Sequence, residues 1–278
     1  RDNNGKSLIY SIVIETFCAG RIIGCSEEFI FKLGNLCKKE DIVLIVDEVY
    51  VGWGKTGYLF NFFKYQNFQP DIVTTSKAIG GGKSSISAFV TSDKVYKKAY
   101  NSMNDSFLHT TTYNGFGEEC ATALEAINII IKENYSDKAQ DINKKIISGL
   151  EDLREKYPKI IKEIRGLGCI NGIEFASPYV TVEKIIQKIP IKFIQDKNRL
   201  INKITSMAVS YEMYERFNIL IFIKEVRDSV FFSLSPSFIV TDEEIERVLF
   251  SLDEILKNGL SKCVSNFYKN MIKEYFIK

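Results

Sequence analysis

Two short apolar runs, Val43 to Val46 and Ile72 to Thr75, are rich in β-branched residues and too short for helices. Each reads as a buried strand of a parallel sheet. The stretch from Ser7 to Glu15 alternates and then turns apolar, which predicts another strand ending at Glu15. Beyond it the spacing changes. Phe29, Ile30, Leu33, Leu36 and Cys37 form a helical stripe. Ser26 is its N-cap candidate, with Glu27 and Glu28 in the first turn, where carboxylates suit the helix dipole. Strand, helix, strand in this order predicts a βαβ unit with a right-handed crossover, and so a parallel sheet. Ser85 to Thr91 predicts a further strand, with Asp93 capping the helix after it. Asn101 to Gly117 is rich in Thr, Ser and Asn and predicts a long functional loop. From Glu118 the pattern is helical, with Ala121, Leu124, Ile127, Ile130 and Ile131 on one side. A long helix follows from about Asp137 to Tyr157, through Ile142, Ile146, Ile147, Leu150 and Leu153.

The texture changes at Ile164 to Phe175, a glycine-rich entry to a strand. The spacing then predicts a helix over roughly Ile191 to Tyr214 and strands near Ile219 to Ile223 and Val230 to Leu234. Thr241 with Glu244 forms a capping box ahead of a helix that turns Ile245, Val248, Leu249, Leu252 and Ile255 inward. Ser261 to Lys278 predicts a last amphipathic helix. The expected organisation is α/β: a large domain over residues 1–158 with a mostly parallel sheet, and a smaller α+β domain over 159–278.

Composition narrows the function classes. Of 278 residues, 45% are apolar, enough for a sizeable core, and the 37 basic and 35 acidic residues nearly cancel. That balance gives no footprint for nucleic acid or an anionic membrane. No run reaches the ~18 uninterrupted apolar residues of a membrane span. The N-terminal RDNNGKS is polar and unlike a signal peptide. The six cysteines are scattered without a CxxC, as expected of reduced thiols in a cytoplasmic protein. No His/Cys/carboxylate cluster has metal-ligand spacing.

Chemistry concentrates at the ends of the two apolar runs. Asp47 follows the first and Lys77 lies just past the second. In open α/β sheets, ligands bind at the carboxyl ends of the strands. A lysine buried at such a place is costly unless used, and a desolvated lysine is a nucleophile able to form a Schiff base. Two glycine–lysine pairs, Gly54-Lys55-Thr56 and Gly82-Lys83-Ser84, end like a phosphate-binding P-loop. The first glycine of that motif falls on Val49 and Lys77, so neither is one.

Taken together, DEVYVGWGKTG, PDIVTTSKAIGGG and HTTTYNG resemble, in order, the signature blocks of the class III (subgroup II) aminotransferases. The likeness runs from about Ile12 to Gly172, and more thinly over Pro236 to Ile245. It implies a pyridoxal-phosphate enzyme of fold type I that moves an amino group from an amine or amino acid to a 2-oxo acid. By resemblance, Lys77 forms the Schiff base with pyridoxal 5'-phosphate and then acts as the base that shuttles the proton. Asp47 holds the pyridine nitrogen protonated, making the ring an electron sink. Val49 packs on one ring face. Tyr50 stands where the family often has a glutamine reaching the ring hydroxyl. Thr112 matches a phosphate-binding threonine supplied by the neighbouring subunit, which implies a homodimer with shared active sites. Ser76 and Thr75 are further candidates on the phosphate side, and His109 has no catalytic role assigned.

Two departures qualify the resemblance. Family members begin well upstream of Arg1, so an N-terminal portion carrying a phosphate loop and a ring-stacking aromatic is expected to be missing or supplied elsewhere. Ser233 stands where many members carry an arginine for the substrate carboxylate. An amine or ω-amino donor is the corresponding expectation. The alternatives are another reaction of the same cofactor (aminomutase, racemase or decarboxylase) and a non-catalytic relative acting as a partner subunit.

Overall fold

The computed structural model describes residues 7–176, 197–226 and 229–276. The chain divides into two compact units, Arg1–Ala19 with Ile23–Ala139, and Gly20–Ile22 with Gln140–Lys278.

The first unit is built on a four-stranded sheet in the order β1-β4-β5-β6, with β1 Ser11–Ile14, β4 Val43–Asp47, β5 Ile72–Thr75 and β6 Ala88–Thr91. A two-stranded hairpin, β2 Phe17–Cys18 and β3 Ile23–Gly24, stands beside it. β1 pairs parallel with β4, and β4 parallel with β5. β6 pairs antiparallel with β5, so the sheet is mixed, with two of its three pairings parallel. β6 is also shorter than the apolar pattern suggests.

Helix α1, Glu27–Glu40, starts as its sequence prescribes: the Ser26 hydroxyl accepts from the Phe29 amide at 3.2 Å. Ile30 and Cys37 are buried against Leu44, Val46, Tyr65 and Phe68. Phe29 and Leu36, expected on the same stripe, are about half exposed, at 49% and 47%. Helix α2, Asp93–Ala99, has Ser92 in the N-cap position, with Asp93 as its first residue rather than its cap. Helix α3, Gly117–Lys132, buries Ala123, Ala126 and Ile130. Leu124 and Ile131, expected on one side with Ile127 and Ile130, face solvent, because the buried stripe of this helix runs through Ala123, Ala126 and Ile130. Helix α4, Tyr135–Lys156, runs from the first unit into the second, whereas the sequence-based boundary sits after its end.

The second unit is an antiparallel sheet in the order β7-β8-β10-β9. β7 Ile161–Leu167 and β8 Ile170–Phe175 form a hairpin where the sequence suggests one strand. β9 is Phe222–Val226 and β10 Ser229–Leu234. Helix α5, Lys197–Phe217, packs on the sheet and on helix α7, Leu260–Phe276. The beginning of the helix expected from Ile191, and the last two residues of the one expected to Lys278, lie outside the described residues. Helix α6, Asp242–Leu256, opens with the expected capping box, Thr241 and Glu244 each accepting from the other's amide at 3.2 and 2.9 Å. Phe175, Phe231, Phe232, Met213, Leu252 and Ile255 form a fully buried core.

Candidate active site

Strand alternation decides which side chains β4 offers to which face. Leu44 and Val46 point into the α1 core, 2% and 0% exposed. Val43, Ile45 and Asp47 point the other way and are half-buried. Asp47 pairs in register with Thr74, and Thr74 with Phe89. Residues paired across strands share a face. Asp47, Thr74 and Phe89 therefore form one row across three strands. The Asp47 carboxylate is oriented locally, its Oδ1 accepting from the Val49 amide at 2.9 Å.

The parallel pairing of β4 and β5 brings both strand ends to one edge of the sheet. Beyond Thr75 the chain turns sharply. The Ser76 hydroxyl donates to the Ile86 carbonyl at 2.9 Å, and Lys77 adopts a left-handed backbone with φ 51°. A non-glycine residue held in this region costs energy and marks places where neighbours over-determine the backbone. Lys77 opens a short 3₁₀ turn to Gly80, and Ile79 anchors that turn in a cluster with Trp53, Ala123 and Ile130. Gly81 follows with φ 59°, where a Cβ would lie 2.9 Å from that of Ala126, so α3 can approach only a glycine. The Lys77 side chain is exposed, contrary to the buried setting expected from sequence, because it lies past the strand end rather than within it. Its Nζ lies 5.7 Å from the centre of the Tyr50 ring.

The Gly52–Gly57 loop folds against this turn. The Trp53 indole N–H donates to the Thr75 hydroxyl at 2.6 Å, and its ring meets Phe60 edge-on at 5.0 Å. The structure thus gathers Asp47, Val49, Tyr50 and Lys77 around the ends of two adjacent strands. Thr112 is elsewhere, exposed on a turn of the loop before α3. The Thr111 carbonyl accepts from the Asn114 amide at 3.1 Å in that turn.

One residue escaped the sequence reading. Glu48 is 0% exposed, and its two carboxylate oxygens accept from the amides of Asn61 and Phe62 at 2.9 and 3.0 Å. Asn61 in turn donates from its side chain to the Thr16 hydroxyl at 2.8 Å. Burial pushes the Glu48 carboxyl up to about 7, against the lowering effect of the two amides, with the neighbouring Asp47 charge adding to the rise. The signal was present in the period of two, which places position 48 on the same buried face as 44 and 46. A cleft of about 650 Å³ lies between α1 and the segment 64–69, lined by Phe31, Tyr65 and Phe68 among others, and no site residue borders it. Among the described residues no group of His, Cys, Asp and Glu could hold a metal ion. No described helix is long and apolar enough to cross a membrane.

Residues 4–256 match the family described as Aminotransferase class-III. The chain belongs to the class-III aminotransferases. A putrescine aminotransferase from Pectobacterium atrosepticum is 30% identical over 259 residues, covering 93% of this chain and 48% of the relative. Among solved structures, a transaminase from the marine bacterium Virgibacillus superposes with TM-score 0.73 at 19% identity, over 92% of this chain and 54% of the other. An ornithine aminotransferase from Toxoplasma gondii, with partial occupancy of PLP at its active site, gives TM-score 0.70 at 22% identity over 91% and 52%. These structural likenesses carry the fold, a mixed α/β arrangement. The chain spans about half the length of the relatives it matches.

Class-III aminotransferases depend on pyridoxal phosphate. The donor set in this chain fits that group. A carboxylate oriented by a backbone amide suits a pyridinium nitrogen. An exposed amine at the neighbouring strand end suits an aldehyde carbon. A tyrosine ring and a valine stand beside them.

Proposed function

We propose that this chain carries the reaction centre of a pyridoxal-phosphate aminotransferase of fold type I, moving an amino group from an amine or amino acid to a 2-oxo acid. The observation that carries the reading is the delivery of Asp47 and Lys77 from adjacent parallel strand ends, with Tyr50 beside the lysine. In this reading Lys77 Nζ attaches the cofactor covalently. Once displaced by the incoming amine, it holds and returns the proton at the substrate carbon. Asp47 keeps the ring nitrogen protonated, Val49 covers one ring face, and Tyr50 lies toward the ring hydroxyl. Thr112, on an exposed turn, meets the phosphate of a second copy, while the Thr75 and Ser76 hydroxyls are engaged by Trp53 and by the Ile86 carbonyl. Bound there, pyridoxal phosphate supplies an electron sink for charge developing at the substrate carbon.

Ser233, where the resemblance puts a carboxylate-gripping arginine, is 4% exposed and lies within hydrogen-bond distance of Ser235, 3.2 Å between hydroxyl oxygens. A hydroxyl so placed gives a carboxylate no charge to pair with. This supports an amine or ω-amino donor, in keeping with a relative described as acting on putrescine.

The test is an absorption spectrum of the purified chain with pyridoxal phosphate, before and after borohydride, with mass spectrometry to place the reduced adduct. An adduct on Lys77 that disappears in Lys77→Ala supports the reading. A visible band that survives in Lys77→Ala overturns it.

A further inference from the structure

The one histidine of the chain lies in the loop between α2 and α3, and its ring does not hang free. His109 meets Phe89 edge-on, the ring centres 4.8 Å apart with an interplanar angle of 85°. Phe89 sits on β6 opposite Thr74, which sits opposite Asp47. The loop is therefore fastened to the sheet face that presents Asp47, two strands and roughly 10 Å away. Three residues beyond His109 comes Thr112, and three residues span at most about 10 Å of extended chain. From Thr111 onward the loop is tied by its own turn bonds. The Thr111 carbonyl accepts from the Asn114 amide at 3.1 Å and the Tyr113 carbonyl from the Phe116 amide at 3.3 Å. At the far end of the loop, Asp105 accepts from the Ser102 amide at 2.9 Å and the Asn101 amide at 3.1 Å. Only Thr110 and Thr111 separate His109 from Thr112, so the anchored ring bounds where Thr112 can lie.

We propose that the Phe89–His109 ring pair is a clasp that positions Thr112 for the cofactor phosphate of a second copy, making His109 a positioning residue rather than a catalytic one. The proposal rests on the reading that Thr112 meets that phosphate. Both rings lie at the surface, Phe89 being 43% exposed, so their removal leaves the buried core intact.

The experiment compares two probes, pyridoxal phosphate and pyridoxal, which differ only in the group Thr112 would contact. Binding is followed by absorbance and by emission of Trp53. His109→Ala is expected to weaken pyridoxal phosphate binding by about two- to tenfold, the range an edge-to-face aromatic pair supports, and to leave pyridoxal binding unchanged. Phe89→Ala should match it, and the double variant should be no worse than either alone. His109→Phe, which keeps an aromatic edge, should restore binding. Equal loss for both probes, or no loss in His109→Ala while Thr112→Ala weakens only the phosphorylated probe, overturns the clasp with the Thr112 reading left standing. If Thr112→Ala also treats the two probes alike, the Thr112 reading falls and the clasp falls with it.

Discussion

Glu48 offers a test whose magnitude can be worked from its surroundings. Its carboxyl is raised from an ordinary 4.5 to about 7 in the folded chain, chiefly by burial. The neutral form therefore suits the folded state. Its advantage is complete below 4.5 and is lost as pH rises through 7. At about 1.4 kcal/mol per pH unit, the interval is worth about 3 kcal/mol, most of it spent between pH 5 and pH 8. Glu48→Gln removes the charge and nearly keeps the shape. It also turns an NH₂ group toward one of the two amides, of Asn61 and Phe62, that now donate to carboxylate oxygens. That mismatch costs about 1–3 kcal/mol at every pH. The variant should thus be offset from the wild type by a constant, and its stability should fall less steeply with pH. Urea unfolding of both proteins at pH 5 and pH 8 reads the difference directly, since every other titrating group is common to the pair. A wild type that loses about 2–3 kcal/mol more than Glu48→Gln across this range supports the reasoning. Parallel curves would refute it, and would mean that the charged carboxylate is fully compensated by its amides and by the Thr16 hydroxyl.

Further outcomes follow from single contacts. Thr75 is 2% exposed and accepts from the lone tryptophan, so Thr75→Val should cost about 1–3 kcal/mol and shift the Trp53 emission spectrum, whereas an unchanged midpoint and spectrum would contradict the bond. Thr241→Ala removes the acceptor for the Glu244 amide and should lower stability by about 1 kcal/mol in denaturant titration, with Thr241→Ser retaining most of it. Leu150 is 0% exposed, and Leu150→Ala should destabilise by about 2–5 kcal/mol; a cost below that range in calorimetry would show that the site collapses around the lost atoms.

Much of this protein is legible without coordinates. Periodicity located α1, α4 and α6 closely, and local chemistry placed their starts: a serine ahead of two glutamates at α1, a threonine–glutamate capping box at α6. These signals act within about four residues, so the chain carries them in its local order. The strand-end aspartate, the lysine before a glycine run and the threonine block were equally visible, as was the family they resemble. The family match over residues 4–256 bears out the resemblance. Tertiary structure decided what no short window holds. β6 runs antiparallel because direction is set by its partner, not by its own residues. α3 buries Ala123, Ala126 and Ile130 and leaves Leu124 and Ile131 in water, because the face it turns to the glycine turn, where Gly81 meets Ala126, is the buried one. Lys77 is exposed, Glu48 is buried next to the half-buried Asp47, and His109 rests on Phe89. Each follows from pairing between segments tens of residues apart, where register and packing rather than local preference choose which face a side chain meets.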